Sequence, residues 1–222
     1  KVVRVARTLN LIAGDGETNV LHLNTLDYDR WNEITKNEDW LVTYGGGLKR
    51  LQTLQKDKGQ NKEFLFDILM ANPPFAGDIK ESRIIHKYEL GYNEKNKPKS
   101  KVGRDILFIE RNLDFIRPGG RMAIVLPQGR FNNTSDKDIR KFIADKARIL
   151  AVIGLHGNTF KPHTGTKTSV LFLQKWDNKL CPKRDDYPIF FGVSEKSGKD
   201  NSGDYVYLKN SDGKPKLDKD GN

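Results

Sequence analysis

A single cysteine, Cys181, stands among 222 residues, so no disulfide can close within the chain and no thiolate cluster can hold zinc. No apolar run approaches the roughly 20 residues that cross a bilayer, and no basic, apolar and small-residue series marks a secretory leader. The expected setting is therefore a reducing cytoplasm, with no membrane partner. The chain also lacks an initiating methionine and opens on Lys1 inside what reads as a helix, which makes it an expected piece of a longer protein. Gly45-Gly46-Gly47 has no strand before it, so it is expected as a flexible loop and not a phosphate-binding turn. No internal repeat is visible.

What is present is an excess of positive charge. Lys and Arg outnumber Asp and Glu by 39 to 29, a net +10, which favours a polyanionic partner such as nucleic acid. A basic solvated surface is the other explanation. A hydrophobic share of 36% suffices for one core of ordinary size.

The chain is organised around Met70-Ala71-Asn72-Pro73-Pro74-Phe75, at the end of the apolar run from Phe64 to Ala71. That run reads as a buried strand. Two prolines fix φ, remove two backbone donors and keep the preceding residue extended, giving a stiff loop whose carbonyls no ladder can use. The Asn72 side chain, the Pro73 carbonyl and the Phe75 ring offer two acceptors and one stacking face, a set that suits a planar ring with an exocyclic amino group. A plain structural turn is the competing reading, because Asn-Pro and Pro-Pro also punctuate loops.

Other elements follow in order. Val2 to Ala13 reads as an amphipathic helix stopped by Gly14, and Asn19 to Leu23 as a short strand. Trp31 to Lys62 shows no sustained period. Gly77 to Gly103 reads as a long loop, either a substrate-facing lid in which Arg83, His86, Lys87 and Lys101 are candidate phosphate contacts or a merely solvated, mobile insertion. A helix from Ile106 to Ile116, capped by Asp105 and ended by Pro118-Gly119-Gly120, precedes a strand Met122 to Leu126. A helix Asp136 to Ala147, a strand Ile149 to Leu155, a loop holding Phe160 and Thr164 to Lys167, and a strand Val170 to Gln174 complete an α/β alternation. Beyond Trp176, Ile189 to Val193 and Tyr205 to Leu208 are expected to pair as a hairpin, and Asn210 to Asn222 to form a loop or disordered edge.

Asn72-Pro73-Pro74-Phe75 resembles the catalytic motif IV of amino-group methyltransferases, and the form ending in Phe resembles that of adenine-N6 DNA methyltransferases. Val102-Gly103-Arg104-Asp105, Pro118 to Pro127 and Thr164-Gly165-Thr166-Lys167-Thr168-Ser169 resemble the modification subunit of type I restriction-modification systems. The resemblance runs from about Lys1 to Trp176. It implies a Rossmann-like fold for an S-adenosylmethionine-dependent methyltransferase: an α/β, mixed and mostly parallel sheet with helices on both faces, whose first strands this chain lacks. Residues 1–176 would form a partial catalytic domain and 177–222 an extension.

The resemblance also assigns residues. Asn72, Pro73, Pro74 and Phe75 would be catalytic, and Phe75 and Phe160 would stack on a flipped adenine, with a core or loop-anchoring role as the alternative for Phe160; Lys167 joins Arg83, Lys87 and Lys101 as a candidate DNA contact. Asn24 stands where the family usually has an aspartate beside the cofactor, and a turn or cap role is its alternative. The main cofactor loop would lie before Lys1, so the chain alone is expected to bind S-adenosylmethionine weakly or not at all. Implied partners are duplex DNA, a specificity subunit and a restriction subunit. Cytosine C5 methylation needs a cysteine nucleophile, and Cys181 lies far along the chain from the turn. Methylation of a protein glutamine or an rRNA amino group, or a noncatalytic nucleic-acid scaffold, are the alternatives.

Overall fold

The structure, a computed structural model, describes residues 2–14, 19–57 and 64–216. Its helices are α1 (Val2–Ile12), α2 (Trp31–Ile34), α3 (Glu38–Asp57), α4 (Ser82–Ile85), α5 (Arg104–Asp114), α6 (Gly129–Asn132) and α7 (Lys137–Lys146). Its strands are β1 (Phe66–Ala71), β2 (Asp78–Ile79), β3 (Val102–Gly103), β4 (Ile116–Pro127), β5 (Ala147–Gly154), β6 (Thr168–Lys175) and β7 (Phe190–Val193). Two compact units emerge, Lys1–Asp67 with Asp78–Arg117 and Ile68–Gly77 with Pro118–Asn222.

The first unit departs most from expectation. Residues 19–23 form no strand; the His22 and Asn24 carbonyls instead accept the indole N–H groups of Trp40 (2.9 Å) and Trp31 (2.8 Å). The expected loop at Gly45-Gly46-Gly47 lies inside α3. Asn37 caps that helix, its side-chain oxygen accepting the Trp40 amide at 2.9 Å. Trp40, Tyr44, Leu48 and Leu51 then recur at spacings of four, four and three, an apolar face that outweighs a cost of about 1 kcal/mol per glycine. Residues 58–63, the end of the stretch that shows no period, lie outside the described residues.

Residues 78–103, expected as a loop, are folded. β2 and β3 pair antiparallel, Asp78 opposite Gly103, and Ile84, Ile85, Tyr88 and Val102 pack with Leu26 and Leu107 in one cluster. The Tyr88 hydroxyl donates to the Leu26 carbonyl at 2.8 Å. Glu110 on α5 accepts the Glu89 and Leu90 amides at 2.7 and 2.8 Å; burial pushes its carboxyl up while these two donors oppose the shift. Gly103, not Asp105, is the N-cap of α5, and Asp105 is buried inside the first turn. The helix stops at Asp114, while Pro118 to Gly120 belong to β4.

The second unit holds the sheet, in the order β1, β4, β6, β5, β7, except that residues 66–67 and 116–117 of β1 and β4 count with the first unit. The sheet is mixed: β6 is antiparallel to both β4 and β5, with Leu126 opposite Ser169 and Gly154 opposite Ser169, and β5 is parallel to β7. Met122, Ile124, Leu126, Leu171 and Leu173 are buried, as are Ile139, Phe142 and Ile143 of α7. β1 stands at the end of the strand order, and Ile68 and Met70 are 70% and 82% exposed, so the expected buried strand is an exposed edge strand. Nor does the expected hairpin. β7 pairs with β5, placing Phe190 opposite Ala151, and Tyr205 to Leu208 are exposed outside any strand. Turns continue to residue 216, and the rest of the expected disordered edge, 217–222, lies outside the described residues. No helix among the described residues is long and apolar enough to cross a membrane.

Candidate functional site

β1 ends at Ala71, so Asn72 is the first residue beyond the ladder. The strand carries the turn to the edge of the sheet, and Pro73-Pro74 prevents the chain from donating to a further partner. Asn72 and Pro74 are exposed, Pro73 is buried and Phe75 is half-buried. Among the described residues, nothing donates a hydrogen bond to the Asn72 side chain or to the Pro73 carbonyl. A stiff turn thus presents two acceptors that no donor among the described residues engages.

Within the same unit Phe75 meets Phe160. Their ring centroids lie 5.1 Å apart with the planes at 83°, an edge-to-face pair of the kind worth about 0.5–1.5 kcal/mol beyond burial. The sequence singled out both rings, and the structure brings them together. The edge of one ring meets the face of the other, however, which leaves no layer between them for a third ring. A base held by both requires one ring to turn aside.

Phe160 sits in the turns between β5 and β6. The His156 carbonyl accepts the Thr159 amide (3.0 Å) and hydroxyl (2.8 Å), His156 Nδ1 accepts the Asn158 amide (3.1 Å), and the Phe160 carbonyl accepts the Thr164 amide (3.1 Å). The Thr164 and Thr166 hydroxyls lie 2.9 Å apart. At the base of this loop the Gln128 amide donates to the Lys167 carbonyl at 2.9 Å, while the Lys167 side chain is exposed.

The candidate cations of the first unit are differently placed. Asp27, 5% exposed, accepts from Arg83 Nη1 and, at 3.1 Å, from Lys87 Nζ; Lys87 also pairs with Asp29 at 2.5 Å. The Arg83 guanidinium, with help from Lys87, holds the Asp27 carboxyl below its usual range against the opposing effect of burial. Burial would lower Lys87, but its bonds to Asp29 and Asp27 prevail and hold it above the usual lysine value. Lys101 makes a looser, exposed pair with Asp78 at 3.4 Å, and the exposed His86 ring lies 6.0 Å from that of Tyr92. Arg83 and Lys87 therefore fasten residues 78–103 to residues 26–29, a use their charge alone did not foretell.

Asn24 forms a turn: its side-chain oxygen accepts the Leu26 amide at 3.2 Å and its carbonyl the Asp27 amide at 3.1 Å. Nearby in this unit, Leu21, Leu23, Trp31, Phe64, Phe66 and Phe115 bound an apolar cavity of about 180 Å³, with Thr25 among its polar residues. Such walls suit a flat aromatic ring. Among the described residues no group of three or more His, Cys, Asp or Glu is placed to hold a metal ion.

The family model described as N-6 DNA Methylase matches residues 10–218. The EcoEI type I restriction enzyme methylase subunit of Escherichia coli is 31% identical over 112 residues, 49% of this chain and 21% of that protein. The MpnII type I restriction enzyme methylase subunit of Mycoplasma pneumoniae is 31% identical over 165 residues, 72% of this chain and 28% of that protein. The chain thus spans between a fifth and a third of these relatives' length. A nuclease-deletion mutant of the Type ISP restriction-modification enzyme LlaGI, solved with a DNA substrate mimic, shares the fold at a TM-score of 0.55, with 12% identity, over 93% of this chain and 23% of that one.

Proposed function

Because the chain belongs to the N-6 DNA methylase family, we propose that its Asn-Pro-Pro-Phe turn serves methyl transfer to adenine N6 in duplex DNA, within the modification subunit of a type I restriction-modification system. The observation that carries this reading is the pair of uncommitted acceptors at Asn72 and Pro73 on a stiff turn beside two aromatic rings. The exocyclic nitrogen of adenine is a poor nucleophile because its lone pair is delocalised into the ring. Two hydrogen bonds from its protons, one to the Asn72 side-chain oxygen and one to the Pro73 carbonyl, stabilise the positive charge that grows on nitrogen during attack. The acceptors are fixed in advance, so little reorganisation accompanies the reaction.

S-adenosylmethionine, when bound, supplies an electrophilic methyl group on a sulfonium. Asn72 fits a place beside it, being exposed at the strand end. Asn24 retains only its amide nitrogen for such a contact, since its oxygen is engaged in a turn. The base must leave the helical stack to reach the turn, and Phe75 then offers it a face. Partners under this reading are duplex DNA, a specificity subunit that reads the sequence and a restriction subunit, all in the cytoplasm.

The test is Asn72→Ala in the protein that carries this chain. Methyl transfer to adenine is expected to fall by about 100-fold or more, the scale for removing one preorganised charge-stabilising group. A variant as active as the wild type on duplex DNA would refute the assignment. Product found on RNA or on a glutamine amide, with none on DNA, would redirect it.

A further inference from the structure

The family model runs to residue 218, yet none of the motifs that carry the resemblance lies beyond Trp176, and none gives a role to the residues there. Yet one stretch of that extension is fastened to the loop that carries Phe160. Lys199 Nζ donates to the Lys161 carbonyl at 2.8 Å, one residue past Phe160. Asn158 Nδ2, two residues before Phe160, donates to the Lys199 carbonyl and to the Asn201 side-chain oxygen, both at 3.2 Å. Gly203, at φ +99°, closes on the same loop: a Cβ there would lie 2.5 Å from the Pro162 nitrogen and 2.8 Å from the Lys161 carbonyl carbon. Both the conformation and the space require glycine.

The stretch is itself stiff. Asp200 Oδ1 accepts the amides of Ser202, Gly203 and Asp204 at 2.9, 2.9 and 3.0 Å, and the Asp200 amide donates to the Asp204 carbonyl at 2.9 Å. Ser197 Oγ accepts the Lys199 amide at 3.2 Å, and Lys199 bridges to Tyr205, with its ammonium 5.5 Å from that ring. Lys199 is thus held at both its backbone and its side chain while it grips residue 161. All these groups belong to one compact unit, the same unit as Phe75.

The geometry points to residues 197–204 as a brace that sets the position of Phe160 against Phe75, with Lys199 and Gly203 as its positioning residues. This rests on the reading of Phe160 as a base-covering ring. Neither residue touches the base; each fixes the backbone from which the ring reaches it. A loop free of the brace would let the ring sample many positions, and binding a flipped base would then have to order it. The extension is accordingly part of the base-binding apparatus and not an appendage.

Two disrupting variants, one rescuing variant and two readouts test this in the full protein that carries the chain. Lys199→Met removes the ammonium while keeping the stem, and Gly203→Ala disrupts the approach from the other side. Hydrogen exchange of the amides at 157–164 is expected to quicken by about tenfold in each, with the strands of the sheet unchanged. In steady-state assays kcat/KM for duplex DNA is expected to fall at least about fivefold while KM for S-adenosylmethionine moves less than about twofold, and Lys199→Arg, which keeps a donor, is expected to restore most of the loss. Unchanged exchange in both variants would overturn the brace, as would faster exchange spread over the whole sheet. Faster loop exchange with DNA kinetics intact would overturn its positioning role. A wild-type protein that methylates no adenine would instead fail the functional reading, and the exchange experiment would still decide whether the brace exists.

Discussion

The Asn72 turn, built from consecutive residues, and the Asp27 cluster, built from residues more than fifty positions apart, are both polar constellations, and they differ in how completely their groups are satisfied. Asp27 is buried and receives Arg83 and Lys87, with Lys87 shared by Asp29. Every charge there has its opposite, and the result is adhesion between segments. At the turn, two strong acceptors are left without donors on a backbone that prolines hold rigid. Saturated polar groups hold a fold together; unsaturated ones held in place are available for chemistry. Candidate sites in such a chain are better sought by asking which polar groups lack partners than by asking where charges gather.

The comparison can be broken by altering each side. Beyond the loss expected for Asn72→Ala, the next largest effect belongs to Phe75→Ala. It removes one face of the aromatic pair and is expected to weaken binding of extrahelical adenine by about 2 kcal/mol, close to thirtyfold, and to leave ordinary duplex binding nearly unchanged. Titration of the protein with duplexes carrying a mismatched or a paired target adenine reads the difference, and equal losses on both would remove the stacking role.

On the other side, Asp27→Asn should leave DNA kinetics alone and lower stability by about 1.5 kcal/mol, since it leaves a half-buried lysine with one partner fewer. Its pH dependence has a definite sign. Asp27 has a folded-state pKa below the ordinary 3.8, so its contribution is fully present above that value and is lost as pH falls through the lower, folded value. Thermal unfolding scanned from pH 5 downward should therefore show the wild type losing its advantage over Asp27→Asn in the acid range. A constant gap between the two would show that the pair adds nothing to the first unit.

Much of the candidate site was legible because its geometry is local: Asn72 to Phe75 are consecutive, and proline and strand-end logic apply to them directly. Part of the second unit was legible for the same reason, as α7, β5 and β6 fell within two residues of their expected bounds, while the start of β4 and the partner of β7 did not. The first unit was not. Its α3 contains three glycines that mask an apolar face at Trp40, Tyr44, Leu48 and Leu51, and only the Asn37 cap would have signalled the start. Residues 78–103 contribute their apolar side chains in ones and twos, and these find partners at Leu26 and Leu107, distances that no local period can register. The strand expected at 19–23 did not form, and indole N–H groups instead take up the carbonyl of His22 within it and that of Asn24 just beyond it. The pairing of Phe75 with Phe160, and the grip of Lys199 beside it, are tertiary facts of the same kind.

The smallest effect separates cations by the same criterion of satisfaction. Arg83 is bound to a buried carboxylate, whereas the Lys167 side chain is exposed and Lys101 holds Asp78 only loosely at 3.4 Å across an exposed pair. An arginine already neutralised by the fold releases few counterions when DNA arrives, while an exposed lysine at a phosphate releases nearly one. Lys167→Ala and Lys101→Ala are therefore each expected to reduce the slope of log affinity against log salt by about one where the side chain meets a phosphate, with stability changed by less than about 0.5 kcal/mol. Arg83→Ala should leave the slope unchanged and lower the melting temperature instead. The reverse pattern, a slope change for Arg83→Ala and none for the lysines, would mean that the Asp27 cluster opens to admit DNA, and the contrast between the two regions would collapse.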